Sequence, residues 1–136
     1  MILDASVVLQ ILFGEEGWDD ALELLVAADA LAVAAPTVLE SEIVWGSRRG
    51  FGGGEVRTLL RRLDVEIVAF GDEEAEEARL AYARFGRGSG HPARLNFGDC
   101  IAYATACVRA RPLVCKGDDF ARTDLRIVRT DPPDPG

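Results

Sequence analysis

Met1-Ile2-Leu3-Asp4-Ala5-Ser6 is the stretch from which the fold of this chain is best worked out. Three apolar residues followed at once by an acid predict a short buried strand, which leads into a helix over residues 6–13. An ionised carboxylate beside a buried strand loses hydration energy unless a hydrogen bond or a cation compensates it. Asp4 is therefore the first candidate functional residue.

Three later stretches repeat this arrangement, in which an acid follows an apolar run. Glu40 follows Pro36-Thr37-Val38-Leu39, Asp99 follows Leu95-Asn96-Phe97-Gly98, and Asp118 and Asp119 follow Leu113-Val114-Cys115-Lys116-Gly117. Four acidic positions in one small domain favour a shared divalent cation, because hard cations are held by oxygen ligands. We predict Mg²⁺, with Mn²⁺ as the alternative, and a metal-polarised water that attacks a phosphodiester.

Strand and helix patterns alternate along the rest of the chain. Further strands are predicted at 31–34, 65–70, 112–115 and 127–128, and further helices at 18–28, 37–49, 55–63, 72–85 and 97–109. This alternation predicts an α/β fold with a central parallel sheet of four to five strands, flanked by helices on both faces. Ligands of such sheets bind beyond the carboxyl ends of the strands, where the strand order reverses, so the acids are expected to meet there.

The length of 136 residues fits one domain, which we place at residues 1–130, followed by a disordered tail at 131–136. No apolar run approaches about 18 residues, so no membrane span is expected. The first residues carry no basic region, which argues against a signal peptide. The three cysteines form no C-x-x-C pair and are expected to be buried and reduced, which predicts a cytoplasmic protein.

The formal net charge of −8 argues against a general nucleic-acid binder, because phosphate binders are usually basic. The basic residues are nevertheless unevenly distributed. They fall into two groups: Arg48, Arg49, Arg57, Arg61 and Arg62, and then Arg84, Arg87, His91 and Arg94. Such clusters either guide a polyanion to a cleft or simply form a solvated surface.

Each acid also has a purely structural interpretation. Glu40 stands three residues after Thr37, which is the spacing of a capping box. Asp99 suits the first turn of a helix, and Asp118 or Asp119 suits the cap of a short one. The set of four acids is more informative than any member alone.

Three polar residues beside these acids are accessory candidates. Ser6 is predicted either to cap the first helix or to hydrogen-bond a metal ligand, and Asn96 is predicted to cap the helix that carries Asp99. Lys116 either contacts a substrate phosphate or is solvated. These alternatives stay open at the level of sequence.

Four stretches together resemble the PIN-domain ribonucleases, and most closely the VapC toxins of bacterial type II toxin–antitoxin modules. The stretches are Ile2-Leu3-Asp4-Ala5-Ser6, Pro36-Thr37-Val38-Leu39-Glu40-Ser41-Glu42, Gly90-His91-Pro92-Ala93-Arg94-Leu95-Asn96-Phe97-Gly98-Asp99-Cys100 and Lys116-Gly117-Asp118-Asp119-Phe120. The resemblance spans nearly the whole chain, and its most specific parts are the stretch from His91 to Cys100 and the last stretch, followed by Thr123-Asp124.

The resemblance implies a PIN-like fold and a metal-dependent endoribonuclease that cuts structured RNA, often transfer or ribosomal RNA. It also implies a homodimer and inhibition by a VapB-type antitoxin. By position, Asp4, Glu40 and Asp99 would be metal ligands or their close support, and Ser6 would be the accessory hydroxyl. Asp118 and Asp119 compete for the fourth place, and we favour Asp118 slightly because it comes first after the strand.

Two other classes of protein are weighed against this prediction. A phosphoacceptor receiver-like domain would also have an acidic pocket, and Lys116 could serve as its lysine. A catalytically inactive PIN-like interaction module would have lost one or more of the carboxylates, and none is evidently missing. Glu42 faces a different side of the helix from Glu40 and is not predicted as a ligand.

Overall fold

The computed structural model describes residues 1–131, which contain five strands and six helices. In chain order they are β1 (Ile2–Leu3), α1 (Ala5–Phe13), α2 (Trp18–Ala27), β2 (Leu31–Ala34), α3 (Ala35–Arg49), α4 (Glu55–Arg62), β3 (Val65–Val68), α5 (Asp72–Phe85), α6 (Phe97–Arg109), β4 (Leu113–Cys115) and β5 (Ile127–Arg129). Every strand and helix that the sequence predicts is present, within three residues at each end.

The five strands form one parallel sheet in the order β3-β2-β1-β4-β5, which confirms the predicted α/β architecture. Ile2 of the central strand β1 lies beside Ala32 of β2 and Leu113 of β4. The chain first builds the sheet outward on one side of β1 and then returns to build the other side. The strand order therefore reverses at β1, and the carboxyl ends of β1 and β4 flank the reversal.

Successive side chains of the strands point into two separate hydrophobic cores, one on each face of the sheet. Ile2 and Leu113 point into a core completed by α5 and α6, with Phe85 and Tyr103 among its members. Leu3 points into the other core, which is completed by α1, α2, α3 and α4. Because successive residues of a strand face opposite sides of a sheet, even the two-residue strand β1 anchors helices on both faces.

The start of α3 differs from the sequence prediction. The helix begins at Ala35 after the N-cap residue Ala34, with Pro36 in its first turn and no side-chain cap. Proline suits this position because the first turn needs no backbone N–H donor. Thr37 therefore lies inside the helix and does not cap it, so the predicted capping box of Thr37 and Glu40 is wrong.

The structure bears on two further predictions, the disordered tail and the absence of a membrane span. Asp131, predicted to begin the disordered tail, accepts a hydrogen bond from the Gly117 amide at 3.0 Å and pairs with Arg129. The rest of that predicted tail, 132–136, lies outside the described residues, and the boundary at 130 stays a prediction. Within residues 1–131, no helix has both the length and the apolar character required to span a bilayer.

Candidate acidic active site

Asp4 lies at the carboxyl end of β1, where the strand order reverses. It is the N-cap residue of α1 and is only 6% exposed. Its Oδ2 accepts hydrogen bonds from the Ser6 amide at 3.1 Å and from the Ser6 hydroxyl at 2.6 Å. The Ser6 hydroxyl in turn accepts one from the Lys116 amide at 3.0 Å. Ser6 thus holds Asp4 against the end of β4. Because Asp4 is the N-cap residue and Ser6 lies in the first turn of α1, the alternative that Ser6 caps the helix is wrong, whereas its hydrogen bond to a site acid is present.

Asp99 occupies the N3 position of α6 and forms a reciprocal capping box with Asn96. The Asn96 side chain accepts from the Asp99 amide at 2.8 Å, and Asp99 Oδ2 accepts from the Asn96 amide at 3.0 Å. The predicted cap at Asn96 is confirmed. These hydrogen bonds and the positive end of the helix dipole hold an acid that is 9% exposed.

Glu40 reaches the same region from the second turn of α3. Its carboxylate lies directly against Gly98 of α6, so closely that a β-carbon at position 98 would overlap it. Gly98 therefore provides the space that lets Glu40 approach the start of α6. One turn earlier in α3, the buried hydroxyl of Thr37 has no hydrogen-bond partner among residues 1–131. Neither Gly98 nor Thr37 was a site candidate from the sequence.

The fourth predicted position lies in the turn after β4, where no helix forms, so the alternative role as a helix cap is wrong. Asp118 and Asp119 are both exposed. The negative charge of Asp119 acts on Asp4 and Asp99, whereas no such effect is found for Asp118. These charge effects favour Asp119 over Asp118, the residue that we favoured slightly, and the identity of the fourth acid stays a prediction.

The pKa shifts of Asp4, Glu40 and Asp99 indicate that the acids act on one another electrostatically. Burial raises the pKa of Asp99 to about 7, and the charges of Asp4, Asp119 and Glu40 add to the increase. Burial also raises the pKa of Asp4, against the opposing effect of the Ser6 hydrogen bonds. The pKa of Glu40 is raised by burial and then by the charge of Asp4. Clustered acids with raised pKa values destabilise the folded state. Such clusters are therefore typical of functional sites, where the arrangement serves binding or catalysis.

Other polar residues near the site are engaged elsewhere. Glu42 pairs with Arg57 at 3.2 Å, as expected for a residue on another side of α3. Lys116 pairs with Glu15 at 3.2 Å, so its amine is not directed at the acids as a receiver-like domain would require. Burial raises the pKa of the Cys100 thiol to about 11 and that of Cys115 to about 12, which leaves both thiols protonated and unreactive.

The chemistry of these side chains fits a hard divalent cation. Every candidate donor is a carboxylate oxygen, and a positive charge would offset the repulsion that raises the pKa values. Among residues 1–131, no group of three or more acidic, cysteine or histidine side chains is arranged so that it could hold a metal ion by itself. Mg²⁺ does not require such a group, because it commonly uses one or two carboxylates and completes its coordination with water and substrate phosphate.

Comparison with known proteins settles the family. Residues 1–125 match the family model described as the PIN domain. The chain belongs to the PIN-domain family. This confirms the predicted resemblance and overturns the receiver-like alternative. The matched residues contain all six helices and the strands β1 to β4, whereas β5 follows them.

The relatives within the family are named VapC ribonucleases. Ribonuclease VapC28 of Mycobacterium tuberculosis is 39% identical over 127 residues, covering 93% of this chain and 96% of its own. Ribonuclease VapC of Mycolicibacterium smegmatis is 42% identical over 130 residues, covering 94% and 99%. The chain is therefore a VapC-type PIN domain, and the names of its relatives support an RNA-cleaving hydrolase.

Solved structures show the same fold at much lower identity. Mycobacterium tuberculosis VapC20, described as a sarcin–ricin loop cleaving toxin, superposes with a TM-score of 0.72 at 16% identity, covering 91% of this chain and 95% of that one. A chain of a structure described as a toxin–antitoxin complex from Klebsiella pneumoniae gives a TM-score of 0.70 at 18% identity, covering 95% of this chain and 96% of that one. These matches confirm the predicted fold class.

Proposed function

We propose that this chain is the toxin of a type II toxin–antitoxin module and a metal-dependent endoribonuclease that acts in the cytoplasm. The observation that carries the proposal is the placement of Asp4 at the end of β1, of Asp99 in the first turn of α6 and of Glu40 against Gly98, near the strand-order reversal. The charge of each of Asp4, Glu40 and Asp119 adds to the raised pKa of Asp99. Burying several carboxylates close together costs folding energy. A bound cation that also contacts a substrate phosphate would offset that cost. The ribonuclease names of relatives at 39% and 42% identity support the same activity.

Asp4 and Asp99, with Glu40 beside them, are the residues that would hold Mg²⁺ or Mn²⁺, and Asp119 or Asp118 would complete the acidic set. The bound cation supplies a water of lowered pKa and stabilises the negative charge that grows on the phosphate oxygens. Ser6 keeps Asp4 in place by hydrogen bonding, and Asn96 does the same for Asp99. No thiol or imidazole nucleophile is needed for this reaction.

The partner in the proposal is a VapB-type antitoxin, in keeping with solved neighbours that are toxin–antitoxin complexes. A homodimer also stays a prediction. The exposed apolar side chains of Leu39, Ile43 and Phe97, which are 57%, 51% and 80% exposed, lie beside Glu40 and would suit a protein contact. Transfer or ribosomal RNA remains the predicted substrate.

The proposal is tested with the purified chain, freed of any antitoxin, and a mixture of transfer and ribosomal RNA. We expect cleavage with Mg²⁺ or Mn²⁺ and none with excess chelator. Asp4→Asn should abolish cleavage, while the fold is retained because asparagine caps helices as well as aspartate. Circular dichroism and thermal melting check the fold.

A matched pair of variants in α3 serves as the internal control. Glu40→Gln should reduce cleavage strongly, whereas Glu42→Gln, two residues away and paired with Arg57, should not. Parental cleavage by Asp4→Asn would contradict the proposed chemistry. If the parent binds an antitoxin but cuts no RNA with either metal, the chain is instead the inactive interaction module.

A further inference from the structure

A second, differently charged cleft lies beside the acidic pocket. It has a volume of about 310 Å³ and is lined by Arg87, Arg94 and Arg122 together with Asp118 and Asp119. That volume is within the range of small-ligand sites, about 300–1,000 Å³. The cleft joins two loops, 86–95 and 116–124, and both also lead to site acids. Arg94 lies five residues before Asp99, and Arg122 lies three residues after Asp119.

The first loop holds Arg87 and Arg94 in defined positions. The Arg87 amide donates to the Leu95 carbonyl at 3.0 Å, and the Leu95 amide donates to the Phe85 carbonyl at 2.9 Å. Arg94 lies between the buried residues Ala93 and Leu95 and has a φ of 52°, a left-handed conformation that is uncommon outside glycine. This local strain is maintained by the surrounding packing and directs an exposed arginine into the cleft.

The second loop is equally well fixed. Phe120 is buried, and its carbonyl accepts hydrogen bonds from the Thr123 amide at 3.1 Å and the Thr123 hydroxyl at 2.7 Å. The Ala121 amide donates to the Asp118 carbonyl at 3.1 Å. These contacts place Arg122 opposite the first loop. The cleft is thus preformed from two braced loops.

Within the described part of the chain, the three cleft arginines lack the carboxylate partner that several other arginines have. Arg57, Arg79 and Arg84 each pair with a carboxylate. The side chains of the three cleft arginines form no ion pair or hydrogen bond within residues 1–131, although Asp118 and Asp119 line the same cleft. Three unpaired guanidinium groups around one cleft are suited to phosphate, which each can bind through two parallel hydrogen bonds.

We infer that this cleft binds the RNA backbone next to the scissile phosphate, with Arg87, Arg94 and Arg122 contacting the flanking phosphates. The inference rests on the proposed nuclease function and extends it. Asp119 belongs to the cleft and also acts electrostatically on Asp4 and Asp99, so a strand lying in the cleft would reach the acids directly. It also explains how a chain of net charge −8 can hold a polyanion: the favourable charge is concentrated beside the site.

The test measures RNA binding separately from cleavage. A fluorescent single-stranded 20-mer RNA is titrated with the full chain in excess chelator, at several salt concentrations. We expect each of Arg87→Gln, Arg94→Gln and Arg122→Gln to weaken binding roughly three- to tenfold at low salt. Each should also reduce the slope of log K against log salt by about 0.7, the value for one single-strand phosphate contact.

Two controls separate this cleft from general surface charge. Arg62→Gln removes an exposed arginine of α4, a helix that packs against α1, α3 and β3, and it should leave both affinity and slope unchanged. Arg94→Lys keeps the charge and should restore the slope but only part of the affinity. With Mg²⁺ present, the cleft variants should raise KM and leave kcat nearly unchanged.

The outcomes are distinguishable from failure of the proposed function. If the parent cuts RNA but the triple glutamine variant binds with parental affinity and salt slope, the cleft assignment is overturned and the nuclease stands. If Arg62→Gln has the same effect as the cleft variants, or polyglutamate of equal charge competes as well as RNA, the assignment is also overturned. If the parent cuts nothing, the proposed function fails, while the binding measurement still decides the cleft.

Discussion

Replacing Asp99 by asparagine should stabilise the protein without metal, although Asp99 belongs to the candidate site. Asparagine keeps the size of the side chain and an oxygen that can accept the hydrogen bond of the Asn96 amide. The substitution removes only the charge. Because burial is the main cause of the raised pKa of Asp99, removing the charge removes a cost of folding.

The size of this effect follows from the pKa. A pKa raised from 3.8 to about 7 corresponds to about 4 kcal/mol, at about 1.36 kcal/mol per pKa unit. Water and counter-ions at the mouth of the pocket screen part of this cost. We therefore expect Asp99→Asn to be about 2 kcal/mol more stable than the parent at pH 8 in chelator, which raises Tm by roughly 6 °C.

The sign of the pH dependence is fixed by the direction of the pKa change. Folded Asp99 binds its proton more tightly than the unfolded chain does, so its contribution to stability is fully present below about pH 4 and is lost as the pH rises through 7. The advantage of the asparagine variant should therefore grow from near zero at pH 4 to its full value at pH 8. Denaturant titrations at five pH values measure it.

Added Mg²⁺ or Mn²⁺ should reverse the ranking. A cation at 100 times its Kd stabilises the parent by about 2.7 kcal/mol, and the variant, which lacks one carboxylate, should gain much less. Glu74→Gln is the matched control, because Glu74 occupies the same N3 position in α5, accepts a hydrogen bond from the N-cap amide of Gly71 at 3.0 Å and is also 9% exposed. A variant that is less stable than the parent at pH 8 in chelator, or a difference independent of pH, would refute the reasoning.

Two further predictions concern the surroundings of Glu40. Gly98→Ala should lower RNA cleavage at least tenfold by displacing the Glu40 carboxylate, while thermal stability changes by no more than about 1 kcal/mol, because alanine favours the helix. Gly52→Ala, where a β-carbon meets nothing within 4 Å, is its control, and parental cleavage by Gly98→Ala would show that Glu40 need not lie there. Thr37→Val should raise the free energy of unfolding by about 1 kcal/mol, since it removes a buried hydroxyl without a partner among the described residues. A loss of similar size in urea titrations would mean that the hydroxyl does have a partner.

The sequence was sufficient for the sheet and for most helix boundaries because those depend on local signals. The strand at Leu31–Ala34 and the helices Asp72–Phe85 and Phe97–Arg109 have the predicted bounds. Alternating apolar runs, a capping asparagine and a first turn rich in acids each act within a few residues. The position of Asp4 after β1 likewise followed from the first six residues.

The prediction at α3 failed because two local signals competed. Thr37 with Glu40 three residues later matches a capping box, yet Pro36 in the first turn starts the helix earlier. The difference matters for the site, because the Glu40 carboxylate has no capping role in α3 and lies against Gly98 instead. The choice between Asp118 and Asp119 is of another kind, because the turn after β4 sets their positions and sequence order along a turn does not show which side chain faces Asp4.

The features that the sequence could not reveal are those that exist only between distant segments. Gly98 could not be identified as a site residue from the sequence, because its role depends on α3 placing Glu40 against it. Arg122 was absent from both predicted basic clusters, and Arg84 was included although it pairs with Asp124. The cleft brings Arg87 and Arg94 of the second predicted cluster together with Arg122, which lies more than 25 positions further along the chain. No periodicity of the sequence indicates such a contact.

For Asp4 and Asp99, a structural role and a functional role are compatible. Asp4 is a helix cap and Asp99 completes a capping box, yet the charges of both act within one pocket. A capping carboxylate uses one oxygen to accept a backbone hydrogen bond, which fixes the side chain. The second oxygen stays available, and the start of the helix sets its direction. Capping positions at the carboxyl ends of parallel strands can therefore hold several acids close together. The helix dipole and the amide hydrogen bonds offset part of the repulsion between the acids. It follows that removing a cap without removing its charge, as Asn96→Ala does to Asp99, should disturb the site as well as the helix.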